Sequence, residues 1–178
     1  MALELNGTTG VSLVQDGVVT AADLASGAIT ANALPAGSVL QVVSNTSNTT
    51  ESTTLTTYSE LASISASITP SSTSSKILVN LSVGVHGDSD QDGHDVGVQI
   101  KLTQTISGTE TTVRESNGVG AGRGGQMSIM TTDIQALVSP NTTSAVTFKF
   151  YYRRTSGNRN LYVNSNRLAT LILQEIAG

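Results

Sequence analysis

Between Lys76 and Leu102 the chain twice places apolar residues at every second position. Ile77, Val79, Leu81, Val83 and Val85 form one run, and Val96, Val98, Ile100 and Leu102 form the next. Side chains of a strand alternate between its two faces, so this period describes strands with one buried side. The stretch between them, Gly87–Asp95, is acidic and contains Gly, and it predicts a hairpin. Ala62, Ile64, Ala66 and Ile68 alternate with Ser63, Ser65 and Ser67. Val146, Phe148, Phe150 and Tyr152 alternate with Thr147, Lys149, Tyr151 and Arg153. Apolar side chains on one face of each strand predict a core, and the intervening residues an outward face.

Shorter extended pieces fill the rest. Ser38–Val43 follows the Pro35-Ala36-Gly37 turn, Thr111–Arg114 reads as a short strand, and Met127–Val138 is extended with no clear inward face. Leu161–Val163 is short, and Leu168–Ile176 is almost continuously apolar, as in a strand covered on both faces. Asn45–Thr57 and the Gly-rich Asn117–Gly125 read as loops, while Pro70–Ser75, Ser139-Pro140-Asn141 and Ser156-Gly157-Asn158 read as turns. Eight or more strands without a convincing helix predict an all-β, antiparallel sandwich of the jelly-roll kind over 38–178. If the strands alternate up and down, the four polar loops Asn45–Thr57, Gly87–Asp95, Asn117–Gly125 and Thr155–Asn160 lie at one end of that domain.

The first 37 residues follow another rule. Gly7, Gly17, Gly27 and Gly37 recur at a spacing of ten, and Gly17–Leu24 closely matches Gly27–Leu34. Each unit offers about three apolar side chains, worth at most roughly 1.5–3 kcal/mol apiece when buried. Ordering ten residues costs on the order of 15 kcal/mol. Such an arm is either a flexible linker or is ordered by neighbouring copies, and the regular repeat favours the copies.

Composition narrows the chemistry. Only 12% of residues are charged, and the net charge is −4. An acidic chain with few Lys and Arg lacks the phosphate-neutralising groups that nucleic-acid binding requires. Cys is absent, which removes disulfides, thiolate catalysis and Cys-ligated metals. No stretch resembles a secretory signal or an apolar membrane span. Two His and scattered carboxylates make no nucleophile–base pair, so the expectation is a protein that binds without catalysis.

Three stretches resemble bacteriophage tail-fibre and virion-surface fibre proteins. They are Thr20-Ala21-Ala22-Asp23-Leu24-Ala25-Ser26-Gly27-Ala28-Ile29-Thr30, then Ile68–Val79 with its Thr69-Pro70-Ser71-Ser72 run, and the ending Thr170–Gly178. The resemblance implies a homotrimeric fibre on the virion surface, with a compact β head like the jelly roll of the C1q and tumour-necrosis-factor families. The arm 1–37 would join other virion proteins of tail or capsid, and the head 38–178 would meet a host-surface glycan or protein. The alternative is a capsid decoration or head-fibre protein that stabilises the shell, which the short arm favours. A glycan-degrading spike would need a carboxylate pair that nothing marks.

Several motifs carry candidate chemistry. Asp88, Asp90 and Asp92, followed by Gly93, match the first half of a calcium loop and could share one Ca²⁺. The final ligand position falls on Gln99 instead of Glu, and the alternative is a solvated acidic turn. His86 and His94 could bind a transition metal on a threefold axis, or serve as ordinary polar residues. Gly120-x-Gly122-x-x-Gly125 has the spacing of a dinucleotide loop but lacks the strand–helix context. Asn117, Gly120 and Arg123 are instead candidates for ligand contact on a distal loop. Phe148–Arg154 joins aromatic and positive groups, which can recognise sugars or anions, although alternation assigns Phe148, Phe150 and Tyr152 to the core.

Overall fold

A computed structural model describes residues 33–87, 96–116, 119–121, 130–157, 159–164 and 167–178. The chain divides into two units, Met1–Pro35 and Ala36–Gly178. The described strands belong to the second. They are β1 (Val39–Ser47), β2 (Glu51–Thr53), β3 (Ser59–Ile68), β4 (Lys76–Gly87), β5 (Val96–Ile106) and β6 (Thr109–Glu115). There follow β7 (Val119–Ala121), β8 (Met130–Val138), β9 (Val146–Ser156), β10 (Leu161–Val163) and β11 (Ala169–Ile176).

Two antiparallel sheets result. In the first, β1 pairs with β11 and β11 with β4, while β2 pairs with β10 and β10 with β4, and β8 lies on the other edge of β4. In the second, the order is β3-β9-β5-β6, with β7 also on β5. β1 with β2, β6 with β7, and β10 with β11 are interrupted strands that continue along the same neighbour. Joined in this way, the described strands number eight, in the orders 1-8-3-6 and 2-7-4-5. That is the jelly roll expected from the alternation.

The up-and-down alternation also holds. Gln41 donates to the Thr69 carbonyl and Asn45 to the Ser65 carbonyl, so β3 runs against β1 across the sandwich. With the pairings above, β2, β4, β7 and β9 all finish at one end. At the other end, backbone hydrogen bonds join Gly37 to Ala177 and Ala177 to Ser38. The head therefore begins and finishes at the end opposite those strand tips.

Three expectations need correction. Gly87–Asp95 does not close a hairpin, because β4 and β5 belong to different sheets. Each of these strands has its paired neighbours within its own sheet. The stretch Asn45–Thr57 is not a single loop: β1 continues to Ser47, and β2 forms against β10. The last strand is not covered on both faces. Ala169, Leu171, Leu173 and Glu175 are buried, while Thr170, Ile172, Gln174 and Ile176 are only half-buried on the outside.

The core lies between the sheets and is filled by the alternating residues. Ile77, Val79, Leu81, Val83 and Val85 meet Val98, Ile100, Leu102, Phe148, Phe150 and Tyr152. The ambiguous strand, β8, turns Ile134 and Val138 inward and leaves Leu137 60% exposed. Its pairing with β4 settles the parity, since Ile134 lies opposite Leu81 and Leu137 opposite Leu78. A two-residue turn joins β5 to β6, with φ of 50° at Ser107 and 83° at Gly108. Paired positive values are the twist-compatible hairpin geometry that Gly accommodates. Where β10 gives way to β11, Arg167 lies against Gly84, and a Cβ there would stand 2.7 Å from the Arg167 Cβ.

Two carboxylates tie the layers together. Glu51 of β2 accepts hydrogen bonds from the backbone N–H groups of Ala62 and Ser63, inside the register shift of β3. Glu175 of β11, fully buried, accepts from the Ser71 backbone, the Ser71 hydroxyl and the Gln41 amide at 2.6, 2.7 and 2.6 Å. Burial pushes its carboxyl up, but the bonds from Ser71 and Gln41, with the nearby Ser75, hold it below its ordinary value. Among the described residues no helix is long and apolar enough to cross a membrane.

Candidate functional site

The outer faces of the two sheets differ in chemistry. On the first, the outward positions of β1, β11, β4 and β8 include Val42, Ile172, Ile176, Leu78 and Leu137. Cross-strand register brings them together. Val42 lies opposite Gln174, Gln174 opposite Leu78, and Leu78 opposite Leu137. Val42 is 56% exposed. Lys76 and Asp133 are the only charged residues that point outwards from these four strands.

The second sheet is charged and aromatic. Tyr151 and Arg153 point outwards from β9 because Phe150 and Tyr152 point in. Gln99, Lys101 and Thr103 do the same on β5. Register places Lys101 opposite both Tyr151 and Glu115, and Tyr58 leads into β3 beside them. The Lys101 ammonium sits 4.4 Å from the Tyr58 ring centre and 4.8 Å from that of Tyr151. The Arg153 guanidinium lies 4.7 Å from the Tyr58 ring centre and donates twice to Gln99 Oε1, at 2.6 and 2.9 Å. Lys149 pairs with Glu60 at 3.1 Å.

Beside Lys101 is a cleft of about 300 Å³, lined by Lys101, Thr103, Glu110, Thr111, Thr112 and Tyr151. Burial, then a hydrogen bond to Glu110, pushes the Tyr151 phenol up to about 12. Hydrogen bonds from Thr103 and Tyr151 hold the Glu110 carboxyl below its usual value. At neutral pH the cleft therefore contains a phenol and a carboxylate in fixed protonation states. A second cleft, about 390 Å³, opens at the break between β10 and β11 and is lined by Asn48, Thr50, Asn164, Arg167 and Leu168.

Several of the residues singled out from the sequence are not described, and most of the described ones fall elsewhere. Asp88, Asp90, Asp92 and His94 lie outside the described residues, as do Asn117, Arg123, Gly122 and Gly125. Gly120 is in β7, paired with Gly97, so the expected Gly-rich loop contains a short strand. His86 is buried in β4 and stacks on Tyr162 with ring centres 4.8 Å apart. Among the described residues no cluster of three or more His, Cys, Asp or Glu is placed to hold a metal. Phe148, Phe150 and Tyr152 are core, as alternation required. The grouping of Tyr58, Lys101, Glu110 and Tyr151 was missed. Parity exposes three of their strands' outward faces, but only the register brings those faces to one place.

No protein-family model matches the chain, and no curated protein matches it. Among solved structures it is similar to T=1 particles derived from infectious bursal virus, with 15% identity and a TM-score of 0.43 over 78% of this chain and 36% of that one. It is also similar to the VP2 subviral particle of infectious bursal disease virus, with 16% identity and a TM-score of 0.37 over 76% of this chain and 39% of that one. The chain thus spans well under half the length of these viral proteins. The likeness is loose, and the assignment of the fold stands on the strand order.

Proposed function

We propose that this chain is a structural protein of a bacteriophage particle, a homotrimeric fibre whose β head attaches to the host surface. The arm 1–37 joins other virion proteins, and the head works by binding, without catalysis. The observation that carries this reading is the contrast between the outer faces. One sheet turns a sparsely charged face outwards, on which Val42, Leu78, Leu137, Ile172 and Ile176 stand among Ser, Thr, Asn and Gln, and these apolar side chains suit burial against further copies of the chain. The other turns a polar, aromatic face to solvent. The head begins and finishes at one end, leaving the opposite strand tips for contact with a partner. Exposed connections on a rigid sheet scaffold are where binding specificity usually resides. Three copies would convert weak single contacts into avid attachment where several engage together.

The test uses phage lacking this protein. Slow adsorption to host cells with particles of normal resistance to heat and osmotic shock is expected. Normal adsorption with fragile particles would overturn the attachment reading and favour capsid decoration.

A further inference from the structure

The cleft beside Lys101 has features that a solvated sheet surface does not need. Its ammonium is held between two tyrosine rings, so its position is set before any ligand arrives. On the cleft wall, the Glu110 carboxylate accepts from Thr103 and Tyr151 and has further acceptor sites, and Thr111 and Thr112 add polar groups. A volume of about 300 Å³ is at the lower end of small-molecule sites, which span about 300–1,000 Å³.

Charge decides the ligand class. The cations on this face are Lys101, Lys149 and Arg153, and the carboxylates are Glu60, Glu110 and Glu115. Lys149 is neutralised by Glu60, and Arg153 is engaged by Gln99 and Tyr58. An anion next to Lys101 would face the Glu110 carboxylate. A neutral ligand bearing adjacent hydroxyls meets no such repulsion. One hydroxyl can accept from the ammonium while its neighbour donates to the carboxylate, both as charge-assisted hydrogen bonds. We propose that this cleft binds one neutral sugar unit through neighbouring hydroxyls that bridge Lys101 and Glu110. The proposal rests on the attachment reading above and places a contact on the flank of the head.

The experiment is saturation-transfer NMR on the full chain with the methyl glycosides of glucose, galactose, mannose, rhamnose and N-acetylglucosamine, each at about 5 mM, because single-sugar sites are expected to be millimolar. At least one glycoside should receive saturation. Glu110→Gln and Lys101→Gln should each weaken that binding about tenfold or more, with Thr147→Ala as an unaffected control on the same sheet. Glu110 is exposed, so its variant should keep the parental circular dichroism, with at most a small fall in melting temperature from the lost bonds to Thr103 and Tyr151. Binding of none of the five, binding unchanged in both variants, or preferential binding of inorganic phosphate or sialyllactose at this cleft would overturn the proposal. The two readings fail separately. Phage lacking the chain that adsorbs normally, while the purified protein still binds sugar, sinks attachment alone. Poor adsorption of such phage, with no glycoside bound by the protein, sinks the sugar site alone.

Discussion

Glu175→Gln removes a charge from inside the sandwich while keeping the side chain's shape. The native carboxylate accepts three hydrogen bonds, two at Oε1 from Ser71 and one at Oε2 from Gln41. A Gln at this position supplies only one oxygen. If that oxygen keeps Ser71, the new NH₂ faces the Gln41 amide donor. Rotating the Gln41 amide to present its oxygen would lose its bond to the Thr69 carbonyl. One or two bonds are lost either way, and hydrogen bonds to charged groups contribute about 1.5–3 kcal/mol each. The expected loss is therefore about 1.5–6 kcal/mol at pH 7. For a chain of this size that is a fall in melting temperature of about 3–24 °C, measured at one protein concentration.

The pH dependence follows from the depressed carboxyl. A group whose folded pKa lies below its unfolded one stabilises the fold above the unfolded value, and that stability is lost as pH falls through the folded value. The gap between parent and Glu175→Gln should thus be full at pH 7 and narrow steadily below about pH 4.5. Other carboxylates cancel in the comparison, because both proteins carry them. A variant that melts with the parent at pH 7, or a gap that stays constant down to pH 3, would refute this account of how β11 is held.

Phe150→Ala empties a fully buried ring position between the sheets and should cost about 3–5 kcal/mol, read from urea denaturation with an unchanged slope. A cost below about 1 kcal/mol would mean the two sheets do not meet at this ring.

Alternation made much of the fold legible. It identified β3, β4, β5 and β9 and the core positions of Phe148, Phe150 and Tyr152, because period two is a local property. The near-continuous apolar run of the last strand concealed its parity, and the structure shows Glu175 on the same buried side as Leu171 and Leu173. Pairing was not legible. β4 and β5 look like a hairpin in sequence, yet β4 pairs with β8, β10 and β11 far along the chain, and β5 pairs with distant β9 and with β6, the strand that follows it. Apolar residues at Ile134, Leu137 and Val138 do not alternate, so only the register with β4 decides which face of β8 is inward. The cleft was invisible for the same reason. Lys101 and Glu110 share the β5–β6 hairpin, but Tyr151 comes from β9, and nothing local to the hairpin announces it.

The central claim, that this head assembles through the sparsely charged outer face of its first sheet and the apolar side chains on it, is tested most directly by molar mass. Light scattering of the full chain at micromolar concentration should give the mass of three chains. Leu137→Asp, which adds a charge at a position 60% exposed in the single chain, should leave the sandwich folded and shift that mass towards one chain. A parent protein that is monomeric, or a trimer indifferent to the aspartate, would contradict the account.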